Sequence, residues 1–267
     1  MVVPSAVFAG MGFLCKGEDG VPMGRLCACF DALSSLLCPP RASCMGCKSL
    51  LGTESGWLCS DCQKALKPMS DLKGDRCPCC GMPLDKRGRC RTCGDWPEGL
   101  ISFARSAFLY DGPIRGMIHA FKFNGVYRMA EEFGVYLENT MILEKMDRPD
   151  ALIPVPMHKR RLRKRGLDHA LLLARALGRR AGLPVWEGRL LRVKNTPQQA
   201  KSSASSRHTA LAGAFLASGV GNSRILLVDD VMTTGSTALA CAQTLLEAGA
   251  QSVQLITLAG APIKGLL

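Results

Sequence analysis

Two carboxylates, a run of hydroxyls and one glycine follow one another in Asp229-Asp230-Val231-Met232-Thr233-Thr234-Gly235-Ser236-Thr237. Ahead of them, Ile225-Leu226-Leu227-Val228 is apolar throughout, as in a strand covered on both faces. Behind them, Thr237 to Ala248 has helical apolar spacing and closes on Gly249, which suits a left-handed cap. The expected order is strand, polar turn, helix. Backbone N–H groups from Met232 to Ser236 would then converge at a helix start, where unpaired donors and the helix dipole favour an anion such as phosphate. Gly235 permits close backbone approach, and the hydroxyls of Thr233, Thr234 and Thr237 add donors. Asp229 and Asp230 would repel a phosphate; they suit ribose hydroxyls or a hydrated magnesium ion. A capped helix behind a surface acid pair is the plainer alternative.

A second chemistry lies in the cysteines. Of 14 in the chain, only Cys241 falls beyond residue 93. Cys44-x-x-Cys47 and Cys59-x-x-Cys62 are separated by eleven residues, Cys77-x-x-Cys80 and Cys90-x-x-Cys93 by nine. Each C-x-x-C turn aims two thiolates the same way, and two such turns complete a tetrahedral four-sulfur zinc site. The pattern is that of a double zinc ribbon holding one or two structural zinc ions, with Cys79 left over. Redox dithiols are the rival reading, but they rarely come as four regularly spaced pairs. A module this small would need its metal in order to fold. Cys241, on the helix after the acid pair, reads as a small buried hydrophobe.

The elements that must position these groups follow from the rest of the chain. With 267 residues there is room for one good-sized core and a small module. Residues 1–30 read as a flexible tail, 31–98 as the zinc ribbons with a linker at Asp95 to Gly99, and 99–267 as the main domain. Strands are expected over Ile101–Tyr110, Asp150–Pro156 and Ser252–Ala259, and helices over Pro113–Phe123, Met129–Leu143 and His169–Arg180. The segment 99–149 would form a hood over the core. Such alternation implies an α/β fold with a mostly parallel sheet and helices on both faces. No stretch approaches the roughly 20 apolar residues needed to span a bilayer. The N-terminus has no basic leader, so a cytoplasmic protein without membrane insertion is expected.

The net charge of +12 is unevenly placed, since the part from Gly99 onward carries 22 Lys/Arg against 12 Asp/Glu. A polyanionic substrate and nucleic acid are both consistent with that excess. Within it, Lys159-Arg160-Arg161-Leu162-Arg163-Lys164-Arg165 follows a strand that could lie beside the acid-pair strand. Arginine forks there would suit pyrophosphate oxygens; a solvated face is the alternative. Lys122 has the same two readings, phosphate contact or solvated lysine. The polar, serine-rich and basic stretch 191–207, which includes Gln198 and Arg207, is either a linker or a mobile lid, with 195–207 as the lid.

The acid-pair string closely resembles the 5-phosphoribosyl 1-pyrophosphate (PRPP) signature of type I phosphoribosyltransferases. A longer succession carries a more specific resemblance. It comprises the zinc ribbon, Tyr110-Asp111-Gly112-Pro113, Lys122-Phe123-x-Gly125, Pro154-Val155-Pro156, Arg160-Arg161-Leu162-x-x-Arg165-Gly166, Gln198, Arg207, Gly213-Ala214-Phe215 and the PRPP string. Together these resemble the ComF (competence protein F-like) family of bacteria over about residues 31–260. The resemblance implies the type I phosphoribosyltransferase fold, with Asp229 and Asp230 on the ribose and magnesium and residues 231–237 on the 5-phosphate. It further implies Arg161 and Arg165 on pyrophosphate, Lys122 on a phosphate, and a lid bearing Gln198 and Arg207. The setting it implies is natural transformation, with single-stranded DNA and competence proteins as partners. A non-catalytic DNA- or partner-binding accessory on the same fold is the other function it allows. The chain departs from the family at Gly166-Leu167-Asp168-His169, where Gly-Phe-Asn-Gln is usual, and at Ser206-Arg207-His208-Thr209-Ala210, where Glu-Arg-x-x-Asn is usual. Both departures fall on the acceptor side, and the acceptor itself is not implied.

Overall fold

The computed structural model describes residues 43–51, 56–123, 125–194, 211 and 213–261, with backbone alone at 164 and 165. The lid residues Gln198 and Arg207 lie outside the described residues. These described residues belong to one compact unit.

Its centre is a four-stranded parallel sheet in the order β1-β6-β5-β2, with β1 Phe103–Leu109, β2 Ala151–Pro154, β5 Arg224–Met232 and β6 Ser252–Gly260. Val185 adds a parallel bridge beyond β2, at Leu152. A separate antiparallel pair, β3 Leu190–Arg192 and β4 Phe215–Ala217, stands beyond that edge in the chain order.

Alternation along the central strands explains the layers. Leu226 and Val228 of β5 and Ile256 and Leu258 of β6 share one core with three helices: α2 (Pro113–Phe123), α3 (Met129–Leu143) and α5 (His169–Ala181). Ile225, Leu227, Val253 and Leu255 enter a second core on the other face, with Leu239, Cys241 and Leu245 of α6 (Ser236–Glu247). A sheet covered on both sides has no polar face to display, which is why β5 opens on the unbroken apolar run 225–228; in β6 the apolar run also carries the buried Gln254 and Thr257. The α/β class with a parallel sheet is the fold observed, and Cys241 is buried as expected. Among the described residues no helix is long and apolar enough to cross a membrane.

Helix ends follow local chemistry. Pro113 opens α2, where its missing N–H costs nothing. Asp168 caps α5 by accepting from the Leu171 N–H at 3.1 Å, and Gly182 ends that helix in the left-handed region (φ 62°). Phe121 fixes α2 against both neighbouring helices, its ring meeting those of Phe133 and His169 edge-on at 5.3 and 5.0 Å. Phe121→Ala should cost about 3–5 kcal/mol, from lost transfer energy plus the cavity left behind. A lowered urea midpoint at unchanged slope would report it.

One expectation needs correction, and two readings gain detail. β5 does not stop at Val228 but runs through the acid pair to Met232, because Asp229, Val231 and Met232 stay in register with Thr257, Ala259 and Gly260 of β6. The polar turn therefore begins at Thr233. The basic run is a helix, α4 (Lys159–Arg165), capped by the His158 ring, which accepts from Arg160 N, and closed by Gly166 at φ 79°. The stretch taken as a linker, 95–99, is anchored: Trp96 packs on the main domain.

Candidate functional site

The acid pair sits in the C-terminal half of β5. Lys122, near the end of α2, makes an ion pair with Asp230, Nζ to Oδ1 2.8 Å, and both side chains are largely buried. The Asp229 carboxylate accepts the Asp230 backbone N–H at 2.8 Å. Burial pushes the Asp229 carboxyl up to about 8, with the adjacent Asp230 charge adding to the effect and Lys122 opposing it. A carboxyl so placed takes up a proton near neutrality unless a cation arrives to hold its charge.

Directly downstream, Gly235 adopts φ 74° as the N-cap of α6. A side chain would be strained there, so the glycine is required by the turn itself. The Thr234 and Ser236 hydroxyls hydrogen-bond each other at 2.9 Å, and Leu239 N returns to Gly235 O at 2.8 Å. The first-turn N–H groups of α6 have no acceptor within the helix, so loop and dipole together suit an anion. Thr233 is exposed and Thr237 half-buried at this turn, with Val231 half-buried and Met232 buried behind it.

Two groups that the sequence reading did not single out also converge here. Arg192 of β3 lies over the Phe215 ring, 5.4 Å from its centroid. Its pKa is lowered, first by burial and then by the neighbouring charge of Arg161, while Asp229 acts in the opposite sense. Arg192 thus feels the charges of both Arg161, from the basic run, and Asp229. Asp168, besides capping α5, is raised by burial and by the charge of Asp230. Its departure from the family pattern was legible, but its proximity to Asp230 depends on the tertiary fold. A cavity of about 430 Å³ adjoins these groups, walled by Pro154, Met157, His158, Asp168, Trp186 and Arg192. Arg165 is the last residue of α4.

The cysteines form two quartets, Cys44/Cys47/Cys59/Cys62 and Cys77/Cys80/Cys90/Cys93, each with all sulfurs within 4.8 Å of one another. Sulfurs at about 2.3 Å from a tetrahedral zinc stand roughly 3.8 Å apart. Observed separations are 3.8 Å for Cys47–Cys59, 3.3 Å for Cys77–Cys93 and 3.4 Å for Cys80–Cys90. Backbone N–H groups of Cys59 and Cys93 point at Cys44 and Cys90 sulfurs, at 3.3 and 3.4 Å, as thiolates require. The donor sets could hold zinc. Cys79 is outside the quartet, as the spacing implied; its carbonyl instead accepts from Arg105 and from the Ala104 N–H. Arg105 is buried and also pairs with Glu144, fixing the second quartet to β1. The first quartet meets α2 at Gly116, where the Met45 carbonyl leaves no room for a side chain.

Sequence comparison places this geometry. A family model described as "Phosphoribosyl transferase domain" matches residues 167–266, which include β5, the turn and α6. Competence protein ComFC of Bacillus subtilis is 30% identical over 207 residues, covering 75% of this chain and 83% of the relative. Competence protein F of Haemophilus influenzae is 30% identical over 228 residues, covering 82% of this chain and 96% of the relative. The chain is a member of the ComF family. DNA utilization protein YhgH of Escherichia coli K12, 30% identical over 225 residues and matched over 94% of its length, extends the ComF comparison to a third name. The fold is accordingly that of a phosphoribosyltransferase domain, joined in this ComF protein to cysteine quartets compatible with zinc ribbons.

Proposed function

We propose that this protein binds PRPP with magnesium and transfers its phosphoribosyl group to an acceptor, releasing pyrophosphate. The observation that carries the reading is the continuity of β5: a paired acid couple opens without interruption into a glycine turn at a helix start. Asp229 and Asp230 would hold the ribose hydroxyls and the magnesium ion, which supplies charge neutralisation to the pyrophosphate. Residues 231–237 would take the 5-phosphate on backbone N–H groups and hydroxyls. Arg161 and Arg192, with Arg165, would receive the pyrophosphate, and Lys122 would bear on a phosphate while holding Asp230. In the reaction the acceptor forms a bond to the ribose C1 as the C1–O bond to pyrophosphate breaks, the electron pair leaving with pyrophosphate. The transition state is cationic at the ring, so positioned charge rather than covalent catalysis would lower the barrier. Gln198 and Arg207 belong to the lid on this reading.

On the same reading residues 31–98 are the metal module and 99–267 the phosphoribosyltransferase-like domain with its hood at 99–149. Zinc has a structural role, and free thiolates held as ligands suit the reducing cytoplasm. The names of the relatives support a setting in competence and DNA uptake.

A second reading is favoured by one surface. Arg115, His119 and Phe123 lie on the exposed side of α2, with the His119 and Phe123 rings 4.8 Å apart and Arg115 over Tyr110 at 5.7 Å. Aromatic and basic groups interleaved in this way suit single-stranded DNA, so the protein would then serve transformation as a binding accessory. Calorimetric titration with PRPP, with and without magnesium, separates the two readings. Magnesium-dependent binding supports the first. No heat from folded, zinc-loaded protein would sink it, and steeply salt-dependent binding of single strands would then favour the second.

A further inference from the structure

The phosphate turn lacks the fixing that helix starts usually have. Its N-cap is Gly235, with no side chain to accept a hydrogen bond from the first helical turn. A glycine-centred turn alone would sample several conformations, and its N–H groups would converge only part of the time. The constraint comes from outside. Trp96 donates its indole N–H to the Thr234 carbonyl at 3.1 Å. Its ring lies so close to Gly235 that a Cβ at that position would run into the indole.

The geometry has a direction. Within one peptide unit the C=O and N–H point opposite ways. Holding the Thr234 carbonyl toward Trp96 therefore turns the Gly235 N–H to the far side of the turn. Trp96 itself is held by the second quartet: it lies three positions after Cys93 and donates its own backbone N–H to the Cys93 carbonyl at 3.0 Å. Cys93 sulfur contacts those of Cys77 and Cys90.

We propose that Trp96 is a positioning residue for the phosphate turn, and that the second cysteine quartet, through Trp96, sets how well the turn receives a 5-phosphate. The quartet's metal thereby has a role beyond holding its own module together: it fixes a contact that preorganises the turn. That the anion is PRPP rests on the function proposed above; the fixing of the turn does not.

The test uses full-length protein prepared with zinc: Trp96→Ala and Trp96→Phe with both quartets loaded, and Cys90→Ser, which should lose the second quartet's zinc. Amide hydrogen exchange over residues 232–238, without ligand, should accelerate at least about tenfold in Trp96→Ala, with β1 and β6 unchanged. Trp96→Phe, which keeps a ring but loses the donor, should fall between. Cys90→Ser should reproduce the Trp96→Ala pattern at the turn. PRPP affinity should drop about tenfold in Trp96→Ala and two- to threefold in Trp96→Phe, as preorganisation is lost. Wild-type exchange at 232–238 in a Trp96→Ala protein that retains its zinc would overturn the proposal. So would acceleration spread evenly over β1 and β6, because Trp96 would then be a fold residue. A protected turn in Cys90→Ser would break the link to the metal. Faster exchange at the turn in a protein whose wild type ignores PRPP would leave Trp96 in its role and discard the phosphoribosyl reading.

Discussion

Magnesium-dependent PRPP affinity is expected to fall at least about a hundredfold in Asp229→Asn/Asp230→Asn, and in the wild type to fall as pH drops below 8. The sign follows from Asp229, whose carboxyl is pushed up to about 8 by burial and by the Asp230 charge. Below that pH the free site carries a proton that the cation must displace. Each pH unit below 8 should then cost up to about tenfold in affinity, until the bound state itself protonates. Above 8 the curve should level. Calorimetry at pH 6.5, 7.5 and 8.5 reads the slope, and the Asp229→Asn single variant should lose it. A flat wild-type profile would show that Asp229 is ionised in the free protein and would remove the proton from the argument.

The same group makes an opposite prediction for stability of the free protein. Its folded value lies above its ordinary value of 3.8. The fold thus favours the protonated form, and the contribution of Asp229 is fully present below about pH 4 and is lost as pH rises through 8. Asp229→Asn should be more stable than wild type by at least about 1 kcal/mol at pH 8, with the margin shrinking toward pH 5. Denaturant midpoints at the two pH values compare them. A site that destabilises its own fold in order to hold paired charge is what a functional acid couple should look like.

Both the sheet and this couple were legible in the sequence because their signals are local. Four branched residues without a polar interruption, followed at once by a polar turn, fit a strand covered on both faces, and Pro113 and Gly249 punctuate helices through their own backbone chemistry. The C-x-x-C spacing likewise encodes ligand geometry within a few residues. What escaped was tertiary. The continuation of β5 through Asp229 and Asp230 depends on pairing with β6, where Thr257 stands opposite Asp229, and that register is set by the tertiary fold rather than by any local run. Arg192 stood in a polar, basic stretch that resembles a linker, and only the pairing with Phe215 brings it toward Arg161. Trp96 lay in a short run with proline and glycine beside it. A large aromatic in such a run was the one sign that the run does not float free, since exposing an indole is costly.

Two zinc ions per chain are expected on metal analysis, one in each quartet, and their removal should be the largest single loss of stability in the molecule. The module around them buries few large side chains of its own, chiefly Leu51, Leu58, Met69 and Met82. Its order must come from metal–thiolate bonds, whose apparent binding energy in small zinc modules is about 10–16 kcal/mol at neutral pH. Cysteine substitutions divide the effect. Cys80 is fully buried within the second quartet, so Cys80→Ser should leave one zinc per chain. Cys79, adjacent in sequence but outside the quartet, should keep two as Cys79→Ser, because its contribution to the fold is its backbone carbonyl. Cys62→Ser should likewise leave one, from the opposite site. Equal zinc loss in Cys79→Ser and Cys80→Ser would mean that the second quartet is wrongly drawn. The chelated protein should keep the β1-β6-β5-β2 sheet, since that core is built from apolar contacts on both faces, while Arg105 loses the carbonyls of Pro78 and Cys79 that now satisfy its buried guanidinium. Destabilisation should therefore enter the main domain at β1, the strand to which the second quartet is fixed, and hydrogen exchange after chelation should rise there before it rises in β5.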